Sequence, residues 1–219
     1  MDEHKYGERK ERASQVVEVL NELFPNARIV LHYGSHWQML VAVVLSAQCT
    51  DKKVNEVTDT LFQKYPDLEH YINADSAEFE QDIKPTGFYR NKTKNILAAA
   101  KIVKEKYNST VPNTMKALLE LPGVARKTAN IVLGNAYGIV EGIAVDTHVR
   151  RLSIKLDLTD NTNPDKIEQD LMRIFPEAEW FALNYRLIEY GRQICPARKH
   201  SCSDHPLTKI YPPAANIWP

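Results

Sequence analysis

What the 219-residue sequence has little of narrows its class first. Three cysteines make no disulfide framework in a chain of this length, and their odd number points to reduced thiols and a cytoplasmic setting. The longest unbroken apolar run, Met39 to Leu45, falls far below the roughly 18 residues a membrane-spanning helix requires. The opening residues, Met1-Asp-Glu-His-Lys, carry no apolar secretory core, so neither a membrane partner nor a classical export signal is expected. Excess charge of one sign is also absent: 28 Lys and Arg balance 28 Asp and Glu, which excludes a global polycation. No run alternates apolar and polar residues with the period of two expected of a half-buried strand.

What is there describes a globular protein. At 43% hydrophobic and 26% charged, the chain has enough apolar material for a real core, as one large domain or two small ones. Charge is uneven along it. Asp51 to Asp82 holds nine acidic and three basic residues, whereas Lys84 to Lys106 holds seven basic residues and one acidic. Such a chain can hold a phosphate backbone on one face while remaining neutral overall, although two solvated helix faces of opposite sign account for the same pattern.

Hydrophobic spacing is helical nearly throughout, and the fold class is all-α. Val16, Val17, Leu20 and Leu23 mark a first helix that stops at Pro25. Val54, Val57, Thr58 and Leu61 mark another, begun by the capping pair Thr50-Asp51. Further faces follow at Ile96 to Tyr107, Met115 to Leu121 and Ala129 to Ala136. Later helices are expected from near Asp146, from Asp165 to Ile174 and from Phe181 to Tyr190. The proline-rich tail from Pro206 onward is expected to be an irregular strap.

The segment Glu120-Leu-Pro-Gly-Val-Ala-Arg-Lys-Thr-Ala-Asn130 joins two short amphipathic helices. Pro122 ends the first, because the residue before a proline avoids the α region, and Gly123 supplies the positive φ of a tight reversal. The next helix then starts with unpaired N–H groups and a positive dipole end, which together suit a phosphate, and Arg126 and Lys127 add charge there. An ordinary helix–turn–helix corner fits the same residues.

Leu121-Pro-Gly-Val-Ala-Arg-Lys-Thr-Ala, with Val145-Asp146-Thr-His148 downstream, resembles the helix-hairpin-helix and following aspartate of the endonuclease III family of DNA repair glycosylases. Leu45-Ser-Ala-Gln-Cys-Thr-Asp51, Gly87-Phe-Tyr-Arg-Asn-Lys92 and Gly191-Arg-Gln-Ile-Cys195 match in the same order, so the likeness runs from about residue 37 to 202. The resemblance implies two helical lobes, residues 31–144 and residues 1–30 with 145–219, with the active site in the cleft between them. It implies a monomeric base-excision enzyme acting on double-stranded DNA. Such an enzyme removes damaged bases, oxidised pyrimidines foremost, and cuts the strand at abasic sites.

Its catalytic roles fall by resemblance on Lys127, as the amine that forms a Schiff base at the sugar C1′, and on Asp146, as the carboxylate that takes a proton and stabilises the sugar cation. Without the resemblance, Lys127 reads as a phosphate clamp and Asp146 as a helix N-cap. DNA contacts fall on Leu121, Gly123, Ala125 and Arg126 of the hairpin and on the basic residues Arg90 and Lys92. Gln48 matches the family's gap-filling glutamine, and Phe88 stands where relatives commonly carry a leucine wedge. A monofunctional glycosylase and a non-catalytic hairpin DNA-binding module remain as alternatives; the lysine argues against the first.

Two departures stand out. Ala125 replaces a second hairpin glycine, which holds the backbone slightly off a phosphate. The four cysteines that hold a [4Fe–4S] cluster in many relatives read here Cys195, Cys202, His205 and Tyr211. A zinc set of Cys195, His200, Cys202 and His205 has an unusual one-residue gap between His200 and Cys202. No metal and no cofactor are therefore expected, the loop being filled by Pro206, Tyr211, Pro212, Pro213 and Trp218.

Overall fold

A computed structural model describes residues 3–217, and among them every regular element is helical. In chain order the α-helices are α1 (Glu3–Leu23), α2 (His36–Leu45), α3 (Asp51–Lys64), α4 (Leu68–Ile72), α5 (Ser76–Ile83) and α6 (Tyr89–Tyr107). After these come α7 (Met115–Leu118), α8 (Arg126–Val132), α9 (Thr147–Lys155), α10 (Pro164–Ile174), α11 (Trp180–Gln193) and α12 (Pro206–Ile210). The chain divides into two compact units: Val30–Glu141, and the residues before Val30 together with those from Gly142 onward.

The Val30–Glu141 unit is organised around α2. Its sequence is apolar on every side and is buried from Met39 through Leu45, so it has no amphipathic period to betray it as a helix. Ser35 starts it by accepting the N–H of Gln38 at 3.2 Å. Helix α3 begins as expected, with Thr50 capping Lys53 N–H. Beside it Trp37, Tyr65, Tyr71 and Phe79 form edge-to-face and tilted aromatic contacts with ring centroids 5.2–5.7 Å apart. The short helices α4 and α5, each capped by an aspartate, Asp67 and Asp75, are too brief to show a period.

The second unit packs α1 with α9, α10, α11 and α12 around Ala13, Val16, Leu20, Val149, Leu152, Leu171 and Leu187. Arg9 of α1 is fully buried; its guanidinium donates to both carboxylate oxygens of Asp160, at 3.0 and 2.8 Å, and to Asp157 Oδ1 at 2.6 Å. The tail is not an irregular strap. Pro206 and Pro212 open α12 and a 3-10 turn over Pro212–Asn216, because a proline at the first helical position loses no hydrogen bond and arrives with the right φ. Tyr211 packs on this core under the Arg12 guanidinium, 4.2 Å from its ring centre. Trp218 lies outside the described residues.

Candidate nucleic-acid interface and active site

The hairpin is built from α7, the turn through Gly123 and α8. Thr114 caps α7 on the N–H of Ala117, and Leu121 plugs the core at 2% exposure. Its N–H bonds to Leu118 O and its carbonyl accepts from Val124, so Leu121 is corrected from a DNA contact to an anchor of the hairpin. Gly123 has φ +80°, and a Cβ there would stand 2.9 Å from Asn95 Cβ. Both the backbone and the neighbouring helix therefore require glycine. Ala125 occupies the N-cap of α8 in an extended conformation and lends no side-chain cap to the first-turn N–H groups. Arg126 is half-buried and Lys127 exposed on that turn, while Ala129 and Val132 hold the helix to the core. Glu120, just ahead of the turn, is engaged by Lys106 and by Tyr107 Oη at 2.8 Å. The Lys106 hydrogen bond holds its carboxyl below the ordinary glutamate range, and the pairing offsets a negative charge that would oppose an approaching phosphate.

Two residues of the same unit share an uncommon backbone. Gln48, after α2, has φ 53°, and Phe88, before α6, has φ 47°. Left-handed conformations in non-glycine residues cost on the order of 1–2 kcal/mol and persist where the surroundings impose them, often at functional positions. Both side chains reach solvent, and Phe88 is 61% exposed, the most exposed large apolar residue among those described. No sequence signal announced either conformation; Gly87, also at positive φ, was the nearest hint.

Lys92 is buried. Sequence put it on the phosphate-binding face, but it is 4% exposed, and its ammonium donates to Leu45 O and Thr86 O, each at 2.8 Å. Burial pushes its pKa down from the ordinary lysine value. It is a cross-link between the segment leading to Gln48 and the one leading to Phe88, and it does not meet a phosphate. Arg90 is solvent-facing, stacked 5.6 Å from the Tyr89 ring centre.

In the other unit Asp146 caps α9, its Oδ1 accepting the Val149 N–H at 2.8 Å. The capping role weighed from sequence is thus physically present, and it orients the carboxylate. The strand-like approach to it is fixed by buried Asn184 of α11, whose Nδ2 donates to Ala144 O at 2.6 Å. Asn184 carries no recognisable spacing and was invisible in the sequence. Gly191 explains its motif: a Cβ there would lie 2.4 Å from His148 Nδ1, so α11 and α9 meet where only glycine fits.

The residues present do not fit a four-thiolate cluster. The chain has three cysteines in all, the Cys202 thiol turns to Ala215 O at 3.8 Å, and Tyr211 is engaged by Arg12.

Comparison with known proteins agrees with this architecture. A model of the HhH-GPD superfamily of base excision DNA repair proteins matches residues 41–177. Endonuclease III of Synechocystis is 47% identical over 210 residues, covering 96% of each chain, and that of Bacillus subtilis is 44% identical, covering 87% of each. Among solved structures, a non-covalent endonuclease III–DNA complex superposes with TM-score 0.89 at 40% identity, covering 94% of this chain and 97% of its own. A trapped endonuclease III–DNA covalent intermediate superposes with TM-score 0.87 at 41% identity, covering 92% and 94%. Fold and hairpin thus define a helix-hairpin-helix base-excision DNA repair protein. Within that class, the chain belongs to the endonuclease III family of DNA glycosylases with AP lyase activity. No described helix is long and apolar enough to cross a membrane.

Proposed function

We propose that this protein removes oxidised pyrimidines from double-stranded DNA in the cytoplasm as a monomer, and cuts the strand with Lys127 as nucleophile and Asp146 as its carboxylate partner. The observation that carries the reading is the exposed Lys127 on the uncapped first turn of α8, directly behind the close-approach Gly123. Backbone N–H groups and the dipole of that turn suit a phosphate oxygen, which would bring the neighbouring sugar within reach of the lysine amine.

In this mechanism the neutral amine bonds to C1′ as the damaged base departs with a proton. The lone pair of the resulting secondary amine then expels the ring oxygen O4′, which takes the proton held by Asp146, and the product is the protonated Schiff base. The iminium acidifies the C2′ hydrogens, so removal of one expels the 3′ phosphate. Asp146 stabilises positive charge on the sugar and accepts the proton from the amine. Gln48 and Phe88, both exposed and held in left-handed backbone, fill the gap left by the extruded nucleotide. Arg90, Arg126 and the backbone at Gly123 and Ala125 contact phosphates.

A nicking assay on duplexes that each carry one oxidised pyrimidine, one oxidised purine, one alkylated base or one abasic site tests the assignment. Cleavage of the oxidised-pyrimidine and abasic duplexes is expected. Binding indifferent to damage, without cleavage, would replace the enzyme by a hairpin DNA-binding module.

A further inference from the structure

Beyond the residues given catalytic or DNA-binding roles, the segment from the end of α11 to the start of α12 gathers three metal-ligating groups. The thiol of Cys195, one nitrogen of His200 and one of His205 lie within 4.8 Å of one another. The two imidazoles stack with centroids 5.0 Å apart and planes 27° from parallel. His200 Nδ1 sits 2.7 Å from Arg198 O and donates to it, which leaves the lone pair on Nε2. His205 Nδ1 is buried and makes no hydrogen bond among the described residues. Cys195 is 1% exposed, and Arg151 grips it from behind, with Nη2 on its carbonyl at 2.6 Å and Nη1 at 3.8 Å from Sγ. An orienting carbonyl behind a histidine and an N–H donor on a sulfur are the partners that metal ligands ordinarily have.

We propose that Cys195, His200 and His205 bind one divalent cation, zinc by the softness of the donor set, with a water in the fourth tetrahedral position. Two even gaps of four residues separate the ligands. The one-residue gap that counted against a zinc site in the sequence disappears, because Cys202 is turned to Ala215 O and is not a ligand. Donor atoms around one zinc stand about 3.5 Å apart, so the cluster needs only a small side-chain contraction to close. The nearby cations are already engaged: Arg151 on the Cys195 carbonyl, and Lys155 on Ile217 O at 2.7 Å. Asp204 adds a negative charge on the same loop. The ion would tie the end of α11 to the start of α12, independently of any chemistry at Lys127.

The test uses full-length protein stripped with a chelator and then titrated with zinc chloride, or with cobalt(II) as a spectroscopic probe. One zinc per chain is expected to survive gel filtration. Cobalt is expected to give tetrahedral visible bands and a sulfur-to-metal charge-transfer band. At zinc 100-fold above Kd the folded-to-unfolded ratio is expected to rise about 100-fold. Cys195→Ser removes the charge-transfer band, and His205→Ala, at a half-buried position that leaves the sulfur in place, weakens uptake by more than about 10-fold. Cys202→Ser binds as the parent does. No stoichiometric uptake, uptake unchanged in His205→Ala, or uptake lost in Cys202→Ser would each overturn the site.

Discussion

Replacing Lys92 by methionine separates a buried cross-link from a phosphate clamp. Methionine keeps most of the apolar stem and removes the ammonium, so packing changes little. Two hydrogen bonds of 2.8 Å from a charged donor to the carbonyls of Leu45 and Thr86 are lost. At about 1.5–3 kcal/mol each the gross loss is roughly 3–6 kcal/mol. Burial already disfavours the ammonium, as its lowered pKa records, so relief of that cost offsets part of the loss. A net destabilisation of about 2–3 kcal/mol follows, read as a lower urea midpoint at unchanged slope. The same cross-link immobilises the approaches to Gln48 and Phe88, both at positive φ. If about 2 kcal/mol of their preorganisation is lost, excision from duplex DNA falls roughly 30-fold. A phosphate clamp would behave otherwise: stability unchanged, affinity reduced, and the salt slope of binding smaller by about one. That pattern in Lys92→Met would refute the cross-link.

Three further outcomes follow from particular contacts. Asp146→Asn keeps an N-cap on Val149 N–H, because asparagine caps as well as aspartate; thermal stability and DNA affinity stay near wild type while base excision drops by about two powers of ten. Parallel loss of binding and excision would reduce Asp146 to a cap. Gly123→Ala meets both a left-handed φ and Asn95 Cβ at 2.9 Å, so it costs about 1–3 kcal/mol in denaturant unfolding and weakens binding to undamaged duplex; unaltered affinity would remove the turn from the interface. Hydrogen bonds from Arg9 and Lys5 lower the Asp160 carboxyl to about 2, from 3.8. A depressed folded pKa gives stability that is present above pH 3.8 and is lost as pH falls towards 2. Because the Asp160 side chain is 59% exposed, screening reduces this to about 1 kcal/mol, so Asp160→Asn should flatten the acid limb of the stability curve by that amount.

Amphipathic spacing made α1, α3, α6, α9, α10 and α11 legible in the sequence, with boundaries set by visible caps such as Thr50 and Asp146. Helix α2 escaped because burial on all sides erases the 3.6-residue period, and α12 because prolines that start a helix look like prolines that break one. At the hairpin the local chain dictated the turn, and Gly123, at φ +80°, was legible for that reason. Lys92 and Leu121 misled for one reason: residue type reports what a side chain can do, and burial decides whether it faces solvent. The juxtaposition of Cys195, His200 and His205 depends on how the loop folds back between α11 and α12, which spacing does not encode.

The central claim is that a lysine amine becomes covalently joined to the sugar. Sodium borohydride trapping on a duplex with one abasic site tests it most directly, with the adduct mapped by peptide mass analysis. The account predicts one protein–DNA adduct per chain, carried by Lys127 and absent in Lys127→Ala, which still binds the duplex. Trapping by Lys127→Ala at the wild-type yield would contradict it.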